Sequence, residues 1–183
     1  MKGWNYKIGR QFCMVIILIA LTEILVVQAK SQNVFKVDPS SKMVIEGTST
    51  LHDWTSSVMS YHGQAEINLN QNALPTFGRL GLTIPVESIK SDKSLMDSKT
   101  YDALKEKEFP DIQLDLQKVS MMANNLVSAS GRLTIAGVTK DVILVAEYKE
   151  LPGNKIVFTG KKNIKMTDFN VVPPSVMMGA IKA

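Results

Sequence analysis

The chain's two histidines, His52 and His62, are its only imidazoles for general acid–base work or metal binding. His52 stands beside Asp53 with serines nearby, a composition that invites a catalytic triad. Neighbours on a strand point to opposite faces, however, so His52 and Asp53 would not pair as base and orienting group. Neither histidine has a close partner at a metal-ligand spacing, the carboxylates are dispersed, and no glycine-rich phosphate loop occurs. Both histidines therefore read as polar residues near strand ends or turns, and no catalytic residue, metal ligand or cofactor site is assigned. Trp54 is the one chemically suggestive side chain left, set in the polar stretch 49–57 (STLHDWTSS). An indole there can lie at a wet rim, packing its ring on an apolar ligand while its N–H reaches a polar partner. It can equally be an ordinary core tryptophan, and both readings stay open.

The elements that must position these residues are strands. Residues 131–146 (GRLTIAGVTKDVILVA) hold two alternating runs joined by a Gly-Val-Thr-Lys turn, 137–140, which predicts a β-hairpin. Leu133 and Ile135 share one face of the first run, and Val142, Leu144 and Ala146 repeat the pattern in the second. Pro152-Gly153-Asn154 turns the chain into a third strand, 155–160. Upstream, 34–37, 42–47 and 61–69 read as extended. Residues 79–89 alternate with Leu80, Leu82, Ile84 and Val86 on one face, and Pro85 there suggests an edge or a bulge. Ile112, Leu114 and Leu116 alternate likewise in the strand after Pro110. The one helical stretch is 91–108, where Met96, Ala103 and Leu104 share a side and Phe109-Pro110 stops the run. The fold class is all-β, an antiparallel barrel or sandwich with one short helical insertion, and periodicity does not choose between the two.

Residues 1–29 read as a secretory signal: Lys2, Lys7 and Arg10 precede an apolar run from Phe12 to Leu21, and Val27-Gln28-Ala29 offers small residues for cleavage. Glu23 interrupts the apolar stretch, leaving less than the roughly 20 residues of a membrane span, so no stable span is expected after cleavage. The expected product is periplasmic or secreted. The lone Cys13 lies inside this segment, so a mature chain from residue 30 has no cysteine and must fold without disulfides. Cleavage removes three basic residues and one acidic one, leaving a net charge of +2 from the +4 of the whole chain. With only Arg79 and Arg132 as arginines and its lysines scattered, the mature chain excludes an extended phosphate-binding face and hence nucleic acid. Residues 30–183 suffice for a single domain.

In order and spacing, several short motifs resemble the YceI-like family of exported polyisoprenoid-binding proteins. They are FKVD at 35–38, STLHDWT at 49–55, PVESI at 85–89, LKEKEFPDI at 104–112, LTIAGVTK at 133–140 and Thr167-Asp168-Phe169. The STLHDWT form resembles one subgroup. The resemblance covers nearly all of the segment after residue 29. It implies an extended, lipocalin-like antiparallel β-barrel enclosing a long amphiphile, such as an isoprenoid chain, an isoprenoid quinone or a fatty-acid derivative. Leu80, Leu82, Ile84, Ile112, Leu114, Leu116, Leu133, Ile135, Val142 and Leu144 supply apolar faces to line such a tunnel, with His52, Asp53 and Trp54 at its mouth. The family's chains continue into a closing C-terminal strand, which is expected to be missing after 179–183, leaving an edge for homodimer pairing. A non-enzymatic lipid carrier is the expected function. The alternatives are a filled β-sandwich or barrel that recruits another envelope protein without a lipid, and an enzyme that acts on a lipid through His52.

Overall fold

Alternating apolar and polar residues build most of the molecule, which a computed structural model describes over residues 34–48, 53–69, 74–173, 175–176 and 181–182. In chain order the elements are β1 (Val34–Lys36), β2 (Val44–Thr48), β3 (Asp53–Val58), β4 (His62–Asn68), β5 (Thr76–Pro85) and β6 (Ile89–Lys90). The helix α1 (Ser94–Leu104) follows, then β7 (Asp111–Met121), β8 (Leu126–Ile135), β9 (Val138–Leu151) and β10 (Lys155–Gly160). A two-residue ladder pairs β11 (Ser175–Val176) with β12 (Ile181–Lys182). Seven strands form one antiparallel sheet in the order β1-β4-β5-β7-β8-β9-β10, and β2-β3-β6 form a second. The all-β class with a single helix is as the alternation implies, and all the described residues fall in one compact unit.

The large sheet is curled into a half-barrel. Two strands stand between β5 and β9, a separation of about 14 Å if the sheet were flat. Yet the Phe77 ring on β5 lies 5.9 Å from Tyr148 on β9 and 6.3 Å from Phe158 on β10, which requires these side chains to meet across a concave face. Glycine permits the curvature where backbones press together. A Cβ at Gly131 would collide with the Asp115 carbonyl, beside the bulge that shifts the β7–β8 register between Leu116 and Lys118. Ion pairs then join segments more than a hundred residues apart in the chain. Lys155 Nζ lies 3.0 Å from Asp38 Oδ2, and Lys161 Nζ 2.7 Å from Glu46 Oε2, tying both ends of β10 to the β1–β2 connection and to β2.

Local chemistry moves several boundaries from where alternation puts them. The β8–β9 turn is Ala136-Gly137, with φ of 48° and 77°, and Val138, Thr139 and Lys140 already pair with Ile135, Thr134 and Leu133. Two successive left-handed residues match the right-handed twist of the flanking strands, so the turn is tighter than the expected 137–140. The run 79–89 breaks at Pro85, after which Val86–Ser88 make a 3-10 turn and Ile89 joins the other sheet opposite Val58. Ser88 Oγ donates to the Pro85 carbonyl at 2.7 Å and holds this corner. The helix spans Ser94–Leu104 rather than 91–108, because Lys105 is left-handed and closes it. Asp97 accepts hydrogen bonds from both N and Oγ of Ser91, each 2.7 Å, which keeps the preceding residues out of the helix. The Tyr101 hydroxyl pins the helix to β6, accepting from Lys90 Nζ at 2.7 Å and lying 3.0 Å from the Glu87 and Ile89 carbonyls.

Candidate functional site

The cross-strand register sets ten apolar side chains on the concave face. Leu80 faces Leu116, Leu82 faces Leu114 and Ile84 faces Ile112; Leu114 in turn faces Leu133, and Gly131 faces Val142. Ile135 and Leu144 lie in the same rows. Residues two apart on a strand share a face, so the whole set Leu80, Leu82, Ile84, Ile112, Leu114, Leu116, Leu133, Ile135, Val142 and Leu144 points inward.

What covers these residues differs along the face. At one end Ile112, Leu133 and Val142 belong to a packed core with Val58, Val86, Ile89, Ala136, Phe169 and Val171. Ile84, Ile135 and Leu114 pack against that core together with Met43, Ile45 and the helix residues Tyr101, Ala103 and Leu104. At the other end the rings of Phe77, Tyr148 and Phe158 close on one another, with Tyr148–Phe158 centroids 5.7 Å apart. Ile67, opposite Phe77, is 1% exposed beneath them. Between the two caps, Leu80, Leu82 and Leu144 stay half-buried and belong to neither packing.

The aromatic cap escaped the reading of alternation. Phe77 and Leu80 stand three residues apart yet share a face, because a register shift of β5 against β4 falls between the Ala65–Leu80 and Ile67–Phe77 pairs. Tyr148 extends the row Val142, Leu144, Ala146, so its place was there to be found. Its hydroxyl donates to the Glu150 carboxylate. Burial, then that hydrogen bond and the nearby negative charge, push its pKa well above the ordinary tyrosine range, so it remains a protonated donor.

Trp54 and Asp53 are not brought to a common mouth. Strand β3, hidden in the sequence by its serines and threonines, alternates so that Asp53, Thr55 and Ser57 are exposed while Trp54, Ser56 and Val58 turn inward. Val58 reaches the core, and Trp54 lies four residues back along the same face, about 13 Å away by strand rise. Its indole covers the cross-strand neighbour Gly47, where an added Cβ would fall 2.6 Å from Trp54 Cε2. The indole Nε1 is buried with no hydrogen-bond partner among the described residues. His52 lies outside the described residues. His62 is exposed on β4, where it faces Thr83.

Chemically the face can hold an apolar chain and offers little else. No group of three or more His, Cys, Asp or Glu able to hold a metal occurs among the described residues. No described helix is long and apolar enough to cross a membrane.

Known proteins share this architecture. The BcnA protein of Burkholderia cenocepacia aligns with a TM-score of 0.63 at 20% identity, over 74% of this chain and 84% of its own. A polyisoprenoid binding domain from Saccharophagus degradans, implicated in plant cell wall breakdown, aligns with a TM-score of 0.60 at 14% identity, over 76% and 82%. The Campylobacter jejuni YCEI protein aligns with a TM-score of 0.51 at 22% identity, over 93% and 85%. A search of curated proteins gave no match. The profile of the YceI-like domain matches residues 27–182. A match over that much of the sequence, on a curled antiparallel sheet with an apolar concave face, makes this chain a member of the YceI-like domain family.

Proposed function

We propose that the protein is an exported, non-enzymatic carrier that encloses a long-chain amphiphile, an isoprenoid, isoprenoid quinone or fatty-acid derivative, against its concave face. The observation that carries this reading is the half-buried stretch of Leu80, Leu82 and Leu144 between a packed core and an aromatic cap. Leu114 and Leu116 complete the wall of the chain's compartment, and Ile84, Ile112, Leu133, Ile135 and Val142 form its closed end. Each methylene taken from water contributes about 0.8 kcal/mol, so a long tail is retained with little polar chemistry. The Saccharophagus degradans neighbour, a polyisoprenoid binding domain, supports the ligand class. The sequence of residues 1–29 supports export to the periplasm or beyond. Of the expected mouth residues, Asp53 meets solvent on the opposite side of β3 from Trp54.

Organic extraction and mass spectrometry of the protein purified after export test the reading. A stoichiometric long-chain species is expected. A folded, lipid-free protein refutes it. That result favours the second reading, an interaction module or homodimer, for which the exposed Ile143 (62%) and Val145 (46%) on the convex face of β9 are the specific observation.

A further inference from the structure

On the inward face of the small sheet, one buried polar side-chain atom among the described residues has no hydrogen-bond partner. Trp54 Nε1–H is buried without a partner among the described residues, although a donor removed from water and left unmatched is disfavoured in a folded protein. Its position is determined from several sides. The indole lies over Gly47, whose missing Cβ leaves the room that it occupies. Ser56 and Val58 follow it on the same inward row, and Ile45, facing Ser56, packs on the core. The N–H therefore sits on the inward face of the small sheet, part-way between the core and the strand's outer end.

We propose that Trp54 is the polar anchor of the interior, its Nε1–H donating to a neutral oxygen acceptor, a ketone- or ester-type carbonyl, carried by the enclosed chain. The inference rests on the reading of the interior as a lipid site and adds the class of head group that it selects. A neutral acceptor is favoured over a carboxylate or phosphate because one indole N–H is a single donor. A buried anion needs a cation or several donors to offset its lost hydration. The inward rows beside Trp54 carry Gly47, Ile45, Ser56 and Val58, none of them charged, and Lys161 is engaged by Glu46. A hydrocarbon without oxygen would leave the N–H as it is and gain nothing from it.

The test uses the full chain, stripped of lipid, and three probes with the same number of isoprene units: a prenyl ketone, the parent polyprene and the corresponding polyprenoic acid. The indole N–H resonance of Trp54, identified by its loss in Trp54→Phe, is followed by nitrogen-15 NMR beside the affinities. The ketone is expected to move this resonance downfield, and Trp54→Phe to weaken the ketone about tenfold while leaving the polyprene unchanged. Gly47→Ala, which keeps the N–H but displaces the indole, is expected to give the same selective loss and covers the case in which Trp54→Phe fails to fold. An unmoved indole resonance with bound ketone overturns the proposal, as does an equal loss for ketone and polyprene, which would make Trp54 a packing wall. Equal or tighter binding of the ionised acid overturns the neutral-acceptor assignment. Failure of all three probes to bind a folded protein overturns the carrier reading itself, and with it this one.

Discussion

Leu82 and Leu133 share one sheet face, and replacing each by alanine and by glutamate separates a ligand wall from a core. Leu133 is 7% exposed and lies inside the packed cluster. Leu133→Ala therefore loses transfer free energy and leaves a cavity, a cost of about 2–5 kcal/mol. Leu82 is half-buried and outside that cluster. Burying a leucine fully contributes about 1.5–3 kcal/mol, so Leu82→Ala, at a half-buried position outside the packed cluster, costs about 1 kcal/mol. For a domain of this size each kcal/mol lowers Tm by roughly 2–4 °C. Leu82→Ala is thus expected to melt a few degrees below the parent and Leu133→Ala about 4–20 °C below it. Glutamate sharpens the contrast. At Leu133, 7% exposed inside the packed cluster, a carboxylate has no room, and folding fails. At Leu82 it keeps its water until a chain is loaded, and its desolvation then opposes binding by several kcal/mol, on the order of a hundredfold in affinity or more. Circular dichroism melts and mass spectrometry of extracted lipid per protein read the two effects separately. The reasoning is refuted if Leu82→Glu loses as much stability as Leu133→Glu, or if it folds and retains a full lipid load.

Three further outcomes follow from the same geometry. Truncating the aromatic cap by Phe77→Ala or Phe158→Ala removes ring contacts each contributing about 0.5–1.5 kcal/mol and opens that end, so longer chains are expected among the extracted lipids; an unchanged length distribution would show that the cap does not bound the compartment. Gly137→Ala is expected to destabilise by about 1–2 kcal/mol from its left-handed φ alone, and by more because the new methyl would lie 2.5 Å from the Phe109 ring; an unchanged urea midpoint argues against the two-residue turn. Hydrogen bonds from the Ser40 side chain and amide, then Lys155, hold the Asp38 carboxyl well below the usual carboxylate range, and Lys161 does the same for Glu46. Folded pKa values below unfolded ones give stability that is present above the ordinary carboxylate range and lost as pH falls through the folded values. The double variant Asp38→Asn, Glu46→Gln should accordingly show a shallower fall of its urea midpoint between about pH 5 and 3, and an equally steep fall would show that these exposed pairs do not steady the β10 seam.

Period-two alternation is a statement about faces, and faces were legible wherever the rows are clean. Leu80, Leu82 and Ile84, then Ile112, Leu114 and Leu116, then Val142 and Leu144 take their side of the sheet from sequence spacing alone, because successive Cβ atoms must point to opposite sides. It fails where one residue breaks the period. The irregularity between Phe77 and Leu80 moves a whole aromatic ring to the inner face, and Pro85 with Ser88 sends the chain from one sheet to the other within four residues. Strand β3 was hidden for a different reason: its inward row is Trp54, Ser56 and Val58, a pattern in which the buried serine looks like a surface residue.

Whether an inward residue is core or wall depends on what lies over it, and that is decided by contacts between residues far apart in the chain. Leu133 is sealed by Val58, Phe169 and Val171, whereas Leu82, on the same face and one strand beyond its neighbour Leu114, has no such cover. A sequence row treats the two leucines alike. Their difference is produced by the second sheet, whose end covers one part of the curl through Met43, Ile45 and Val58. The inward rows are mostly apolar, and Trp54 Nε1 is the buried side-chain polar atom without a partner among the described residues. In the proposed carrier, affinity scales with the length of chain enclosed, and the proposed Trp54 donor discriminates among chains of one length.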